Sequence, residues 1–241
     1  MLRITIFFLV FLFVINISAQ NEKSNLEEPS VITPGKKNNA PSDAIILFDK
    51  ATLENFESVK DGGPAKWKVQ GNKFTVAPKT GNIQTKERFG DCQLHIEWRT
   101  PPKDVKEGKE GQQNGNSGIY LMGKYEVQVL NSYINKTDYD RMAGSVYNQH
   151  SPLVNASLPP GKWQVYDIIF YAPRFNADGS VKTYGRLTIF HNGVLIQHNA
   201  KIEGPTQAYS QQFRITEPEL PLMLQDHNNE VSYRNIWIRR L

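Results

Sequence analysis

Glu126 and Gln128 stand two residues apart in Tyr125-Glu126-Val127-Gln128-Val129. Successive side chains of an extended strand leave opposite faces, so the carboxylate and the amide share one face while the tyrosine and the valines take the other. In most antiparallel sheets such a polar face is simply wetted by water. A carboxylate beside an amide, after an Asn116-Ser117-Gly118 entry, also suits a surface that grips a hydroxyl-rich ligand. A second polar group follows Leu224 as Gln225-Asp226-His227-Asn228-Asn229. A carboxylate next to an imidazole can move a proton, and an imidazole can bind a metal, although the same residues make an ordinary polar turn. Glu97 is the third element. It shares the parity of His95 and Arg99 in its strand, against Leu94, Ile96 and Trp98. That places it either in one groove with Glu126 or in an ion pair with Arg99 or a neighbouring strand.

The elements that must hold these groups read as strands. After Ala44-Ile45-Ile46-Leu47-Phe48 come short apolar or alternating pieces at 67–69, 74–76, 83–85, 92–100, 118–122 and 125–130. More follow at 164–172, 186–191, 194–198, 220–224 and 231–238. Many short strands between turn signals indicate an all-β sandwich. His191-Asn192-Gly193-Val194 predicts a tight hairpin, because Asn and Gly both accept positive φ. Asn176 to Ser180 predicts a turn between two long strands, and Thr52 to Phe56 a single helical turn. Long loops are expected at 101–115 and 133–160, where insertions can wall a groove. A Gly-x-Ser-x-Gly elbow, a phosphate-cradling loop, a dinucleotide fingerprint and the common metal-site spacings are all missing from the sequence.

The chain has 241 residues, enough for one domain with a sizeable core, and 28 Lys+Arg against 24 Asp+Glu scattered without a basic stripe. Nucleic acid is therefore a poor partner. Arg3, an apolar run from Ile4 to Ile15 and the small residues before Gln20 predict a signal peptide over residues 1–19. The run is too short to span a bilayer, which takes about 20 apolar residues. With no cysteine following it, a lipoprotein anchor is not expected. Residues 20–42, rich in Pro, Lys and Asn, predict a flexible tether, and 43–241 the folded domain. The mature protein is expected to be secreted or periplasmic, without a membrane span. Cys92 is the only cysteine, so neither a disulfide nor a cysteine metal site can form within the chain.

Taken in order, several pieces resemble the 3-keto-disaccharide hydrolase domain family of exported bacterial proteins. The resemblance rests on Leu47-Phe48, Glu97-Trp98-Arg99, Asn116 to Leu121, Tyr125 to Val129, Gly144-Ser145-Val146-Tyr147 and Gly161-Lys162-Trp163. It continues through Asn192-Gly193-Val194, Leu224-Gln225-Asp226-His227 and Arg234-Asn235-Ile236. It covers roughly Ala44 to Leu241, and departs at Asn131, where the family carries an aspartate.

The resemblance implies a concanavalin-like jelly-roll β-sandwich of two antiparallel sheets, one of which binds sugar, and cleavage of glycosides oxidised to a ketone at C3. The ketone acidifies the C2 hydrogen, a base removes it, the C1 substituent leaves, and water adds to the enone. That route differs from oxocarbenium chemistry on paired carboxylates and needs a base, an acid and a group that holds enolate charge. The resemblance implies His227 as base or acid with Asp226 orienting its ring, and Glu126 or Glu97 as second proton-transfer group or metal ligand. Asn116, Gln128, Gln225 and Arg234 would then bond sugar hydroxyls or the C3 oxygen, with Tyr147 as a further substrate-binding residue. The sequence requires no cofactor, but a divalent cation held by Glu and His would suit the enolate. The expected partner is a glycoside or oligosaccharide. A non-catalytic sugar-binding sandwich is the alternative, with Tyr120, Tyr133, Tyr147 and Trp163 as stacking residues. A weaker third reading is a structural or partner-binding sandwich.

Overall fold

The computed structural model describes residues 27–36, 39–49, 52–102, 110–206 and 217–241. The expected signal peptide, residues 1–19, lies outside the described residues, as do tether residues 20–26 and 37–38. The chain divides into a unit of residues 1–32, whose described part carries no strand or helix, and a unit of residues 33–241. At the start of the second unit the end of the tether is tied to itself. Ser42 N donates to Thr33 O at 3.0 Å, and Thr33 N donates to Ser42 Oγ at 3.0 Å.

The strands are β1 (Ile45–Phe48), β2 (Phe56–Ser58), β3 (Lys68–Gln70), β4 (Lys73–Thr75), β5 (Ile83–Phe89), β6 (Cys92–Arg99), β7 (Ser117–Leu121) and β8 (Tyr125–Val129). They continue with β9 (Gln164–Tyr171), β10 (Arg174–Phe175), β11 (Val181–Thr183), β12 (Arg186–His191), β13 (Val194–Lys201), β14 (Leu220–Leu224) and β15 (Ser232–Arg240). The helical elements among the described residues are two 3₁₀ turns, Gly111–Gln113 and Tyr139–Arg141. The larger sheet runs β13-β12-β9-β6-β15-β4-β3, with β1 also on β15; the smaller runs β2-β5-β14-β7-β8. All pairings are antiparallel, and the two sheets form the expected concanavalin-like jelly-roll sandwich.

Period-two patterning decides what faces inward. In the larger sheet Leu94, Ile96 and Trp98 lie opposite Ile168, Tyr166 and Gln164, and the apolar members of this set are fully buried. From the smaller sheet Ile119, Val127, Val129, Leu222 and Leu224 meet them. Burying each such side chain contributes roughly 1.5–3 kcal/mol. Two tyrosines of the larger sheet cross this apolar layer. Tyr166 Oη donates to Gln128 O at 3.0 Å and Tyr233 Oη to Ser117 Oγ at 2.7 Å, so both reach the backbone or side chains of β7 and β8. Cys92 is buried in the same core, and burial pushes its thiol up to about 12, which keeps it protonated and unreactive at neutral pH.

Asn192 and Gly193 adopt φ of 52° and 79° between β12 and β13, the two-residue hairpin expected from the Asn-Gly pair. Two local expectations fail. Thr52 to Phe56 forms no helical turn: Phe56 N donates to Leu53 O at 2.9 Å in a tight turn, and Phe56 then opens β2 against β5. The turn at Asn176 to Ser180 joins only the short β10 and β11, because this ribbon pairs with neither sheet.

Candidate active site

Tyr120 on β7 pairs with Glu126 on β8, and Gly118 with Gln128. Ile119 and Val127 point into the core, so these four residues form the opposite, outer face of the smaller sheet. β14 lies on the other side of β7, with Met223 opposite Tyr120, and Gln225 N donates to Gly118 O at 3.0 Å just beyond its end. Gly118 is what lets the face assemble. A side-chain carbon there would overlap Glu126 Oε1 and stand 2.6 Å from the Tyr120 ring, so the glutamate and the tyrosine both occupy the space a side chain would fill.

Glu126 is 3 % exposed, and burial pushes its carboxyl up to about 7 against the opposing hydrogen bond from the Tyr120 hydroxyl. Tyr120 Oη in turn accepts from Gln225 Nε2 at 3.0 Å. The amide thereby turns its other end away. Gln225 Oε1 and His227 Nδ1 are both buried with no hydrogen-bond partner among the described residues. Such orphaned atoms are costly unless a ligand or water meets them. Gln225, Asp226 and His227 are themselves partly exposed, so the face opens to solvent on this side.

Asp226 does not orient the His227 ring as expected. Its Oδ2 accepts from Gly81 N at 3.0 Å and its Oδ1 from Asn228 N at 2.9 Å, so the carboxylate caps two turns. The polar-turn alternative is correct for Asp226, while His227 keeps a free ring nitrogen. Asn116 and Gln128 share the Glu126 face but are engaged within the protein. Asn116 Nδ2 donates to Gln112 O at 2.8 Å, Gln128 Nε2 to Gln112 Oε1 at 2.9 Å, and Gln128 Oε1 accepts from Val129 N at 3.0 Å. They build the floor of the site. Gln112, on the first 3₁₀ turn, also reaches Thr137 Oγ1 and Arg141 O at 2.9 Å each, tying the two long loops to the sheet. Sequence reasoning missed Gln112, and its only signal was the polar run closing a charged loop. Tyr147 is half-buried, with its backbone N donating to Glu126 O at 3.2 Å, and Asn131, the departure from the family pattern, is bonded to Asn114.

Glu97 and Arg234 belong to a different face, which corrects the expectation of one shared groove. Glu97 pairs with Arg234 in register on β6 and β15, and its neighbours Ile96, Trp98 and Tyr233 point into the core, so it lies on the outer side of the larger sheet. There Glu97 Oε2 accepts from Arg234 Nε at 2.6 Å and Oε1 from Asn235 Nδ2 at 2.9 Å. His95, stacked on Trp237 at 5.0 Å, holds Asp167 Oδ1 at 2.6 Å through Nδ1. Burial alone would raise Glu97, but His95, Asn235 and Arg234 outweigh it and hold the carboxyl at about 2. Trp163, a stacking candidate, lies here too, with the Arg234 and Arg99 guanidinium carbons 4.1 and 4.6 Å from its ring centre. This cluster satisfies itself across three central strands. Among the described residues no group of three or more His, Cys, Asp or Glu is arranged to hold a metal ion.

The sequence profile of the 3-keto-alpha-glucoside-1,2-lyase-like domain matches residues 43–239. The chain belongs to this family. The lyase-like domain thus covers every described strand except the last residue of β15. A solved structure of a candidate glycosyl hydrolase from Parabacteroides distasonis ATCC 8503 is 46 % identical, with a TM-score of 0.83 over 92 % of this chain and 96 % of that one. Two further candidate glycosyl hydrolases from the same organism share 16 % identity each, with TM-scores of 0.58 and 0.55 over 83 and 82 % of this chain and 94 and 99 % of theirs. At that identity they show the fold alone. No curated protein matches the chain. The family and its relatives make this a glycosyl hydrolase-like, carbohydrate-directed domain.

Proposed function

We propose that the chain is an exported enzyme that cleaves 3-keto-glycosides, with Glu126 as the base that removes the C2 proton. The observation that carries this reading is a buried carboxyl held at about 7 on a sheet face where the Tyr120-bonded Gln225 leaves its Oε1 without a partner among the described residues. A general base works best when its pKa lies near the working pH, and the C2 hydrogen beside a C3 ketone is acidic enough for a carboxylate to take. Ordinary glycoside hydrolysis would instead need a second carboxyl across the bond. The smaller sheet's face does not bring Glu97 to Glu126, and Asp226 is engaged with backbone amides.

In this reading the C2–H electron pair forms the C2–C3 double bond as the C3 oxygen takes negative charge. The enolate then expels the C1 substituent, and water adds at C1 of the enone. Gln225 Oε1 accepts a sugar hydroxyl, and His227 gives a proton to the departing oxygen. The apolar N-terminus would carry the protein to the periplasm or beyond. No helix among the described residues is long and apolar enough to cross a membrane.

The test is turnover of a chromogenic 3-keto-α-glucoside against the unoxidised glucoside, with and without a chelator. Release from the keto substrate alone is expected. Sugar binding without release from either would favour the lectin-like alternative.

A further inference from the structure

Tyr120 was read from the sequence as a stacking residue, but its surroundings give the hydroxyl a different use. A phenol carries one proton and accepts through its lone pairs. Gln225 Nε2 donates to Tyr120 Oη at 3.0 Å, which occupies the accepting side. The remaining O–H is directed to Glu126, the residue directly opposite on β8. Gly118 leaves room for the tyrosine ring and the carboxylate to lie against each other, and Tyr120 is 1 % exposed, so little water competes for the bond. Gln225 itself is fixed by its backbone bond to Gly118 O at 3.0 Å. The phenol is therefore held by one partner that does not change during proton abstraction and one that does.

We propose that Tyr120 is a catalytic residue whose hydroxyl passes from the Glu126 carboxylate to the C3 oxygen of the substrate as the C2 proton is transferred. This rests on the reading of Glu126 as the C2 base. Before the step, Glu126 is an anion and the better acceptor. In the step its carboxylate gains the C2 proton, the C2–H pair becomes the C2–C3 double bond, and the carbonyl π pair moves to the C3 oxygen. The negative charge has left Glu126 for that oxygen. The phenol follows the charge while Gln225 keeps its hold on Oη. No oxidant, reductant or further reactant enters. When the C1 bond breaks the enolate becomes an enone; as water adds at C1, Glu126 returns its proton to C2, which restores the first arrangement. Tyr120 thus supplies the enolate-holding donor only once the base has been used, which favours the transition state over the ground state.

The experiment uses the full chain and two probes: a chromogenic 3-keto-α-glucoside, and 3-keto-1,5-anhydroglucitol, which has no exocyclic substituent on C1 to expel and reports enolate formation as C2 exchange in D₂O. Tyr120→Phe keeps the ring and removes only the hydroxyl. The expected result is a fall of roughly 10²–10³-fold in both kcat and C2 exchange, the range for loss of one oxyanion donor, with KM changed little. The rising limb of the pH profile should also move to higher pH, because Glu126 loses the donor that favours its ionised form. Tyr120→Phe within about threefold of wild type on both probes would overturn this role alone. So would an equal loss with an unmoved pH profile, the signature of a disturbed fold. Gln225→Met, which frees the phenol from its fixed partner, should reduce exchange less than Tyr120→Phe does; a larger loss would make Gln225, not Tyr120, the principal donor. Absence of turnover and of exchange by the wild type would instead sink the reading of Glu126, and this role with it.

Discussion

At the scale of single residues, the site depends on a carboxyl that the fold keeps partly protonated. Glu126 has an ordinary carboxyl value of 4.5 and is raised to about 7 by burial. Since the folded value exceeds the unfolded one, the folded state holds the proton more tightly, and stability falls as pH rises from about 4.5 to about 7. The burden at higher pH is of order 3 kcal/mol at most, taking about 1.4 kcal/mol per pKa unit. Glu126→Gln should thus raise the urea midpoint at pH 8 while cutting turnover by roughly 10²–10⁴-fold, the range for loss of a general base. A variant that is less stable and still active would contradict both halves. For wild type, kcat/KM should climb with pH through about 7 as the base ionises. Gly118→Ala tests the same geometry from below. Its added carbon would force Glu126 or Tyr120 aside, and we expect turnover to drop at least ~10-fold with far-ultraviolet circular dichroism unchanged. The pair Glu126 and Gln128 could be read from sequence because parity is local. The orphaned Gln225 Oε1 could not, since it arises from a bond to Tyr120 on a strand 105 residues away.

At the scale of elements, the cluster on β9, β6 and β15 reads as a clamp rather than as chemistry. Asp167, His95, Glu97, Asn235 and Arg234 connect three central strands, and both Glu97 oxygens are occupied. Removing one partner from a well-buried ion pair costs about 3–5 kcal/mol. Arg234 is 31 % exposed, so Glu97→Gln should cost less, roughly 2 kcal/mol, with turnover intact. A change in kcat beyond about twofold in that variant would place Glu97 back in the mechanism. The pH dependence has two limbs. Glu97 is held at about 2 against an ordinary 4.5, so its contribution is complete above about 4.5 and is lost as pH falls toward 2. Burial alone would lower His95, but Asp167 and Glu97 outweigh it and hold the ring above its ordinary 6.5. Its contribution is complete below 6.5 and is lost as pH rises through the higher folded value. Thermal midpoints measured against pH should fall on both sides, and Glu97→Gln should flatten the acid limb. Most of the strands themselves were legible, because apolar alternation is a property of a few neighbouring residues. Exceptions were β2, hidden behind turn-forming residues, and the ribbon β10-β11, whose shortness follows from a lack of partners.

At the scale of the molecule, the sandwich puts Glu126 and Glu97 on the outsides of different sheets. Parity told which side of its own strand each residue takes, but not which sheet that strand joins. β6 sits between β9 and β15, and β8 ends the other sheet, an order set by pairings between distant segments. Among the described residues the two groups share no hydrogen-bond partner, so Glu126→Gln and Glu97→Gln should be additive in stability within about 0.5 kcal/mol. A larger coupling would mean that the core transmits changes between the faces. The route by which it would do so is visible. Tyr166 and Tyr233 extend from the larger sheet to Gln128 O and Ser117 Oγ, acting as two struts beneath the reactive face. Because these struts are rooted in β9 and β15, copying β7, β8 and β14 into another sandwich would transplant the side chains without their foundations. A designer wishing to move this site would have to carry both tyrosines with it.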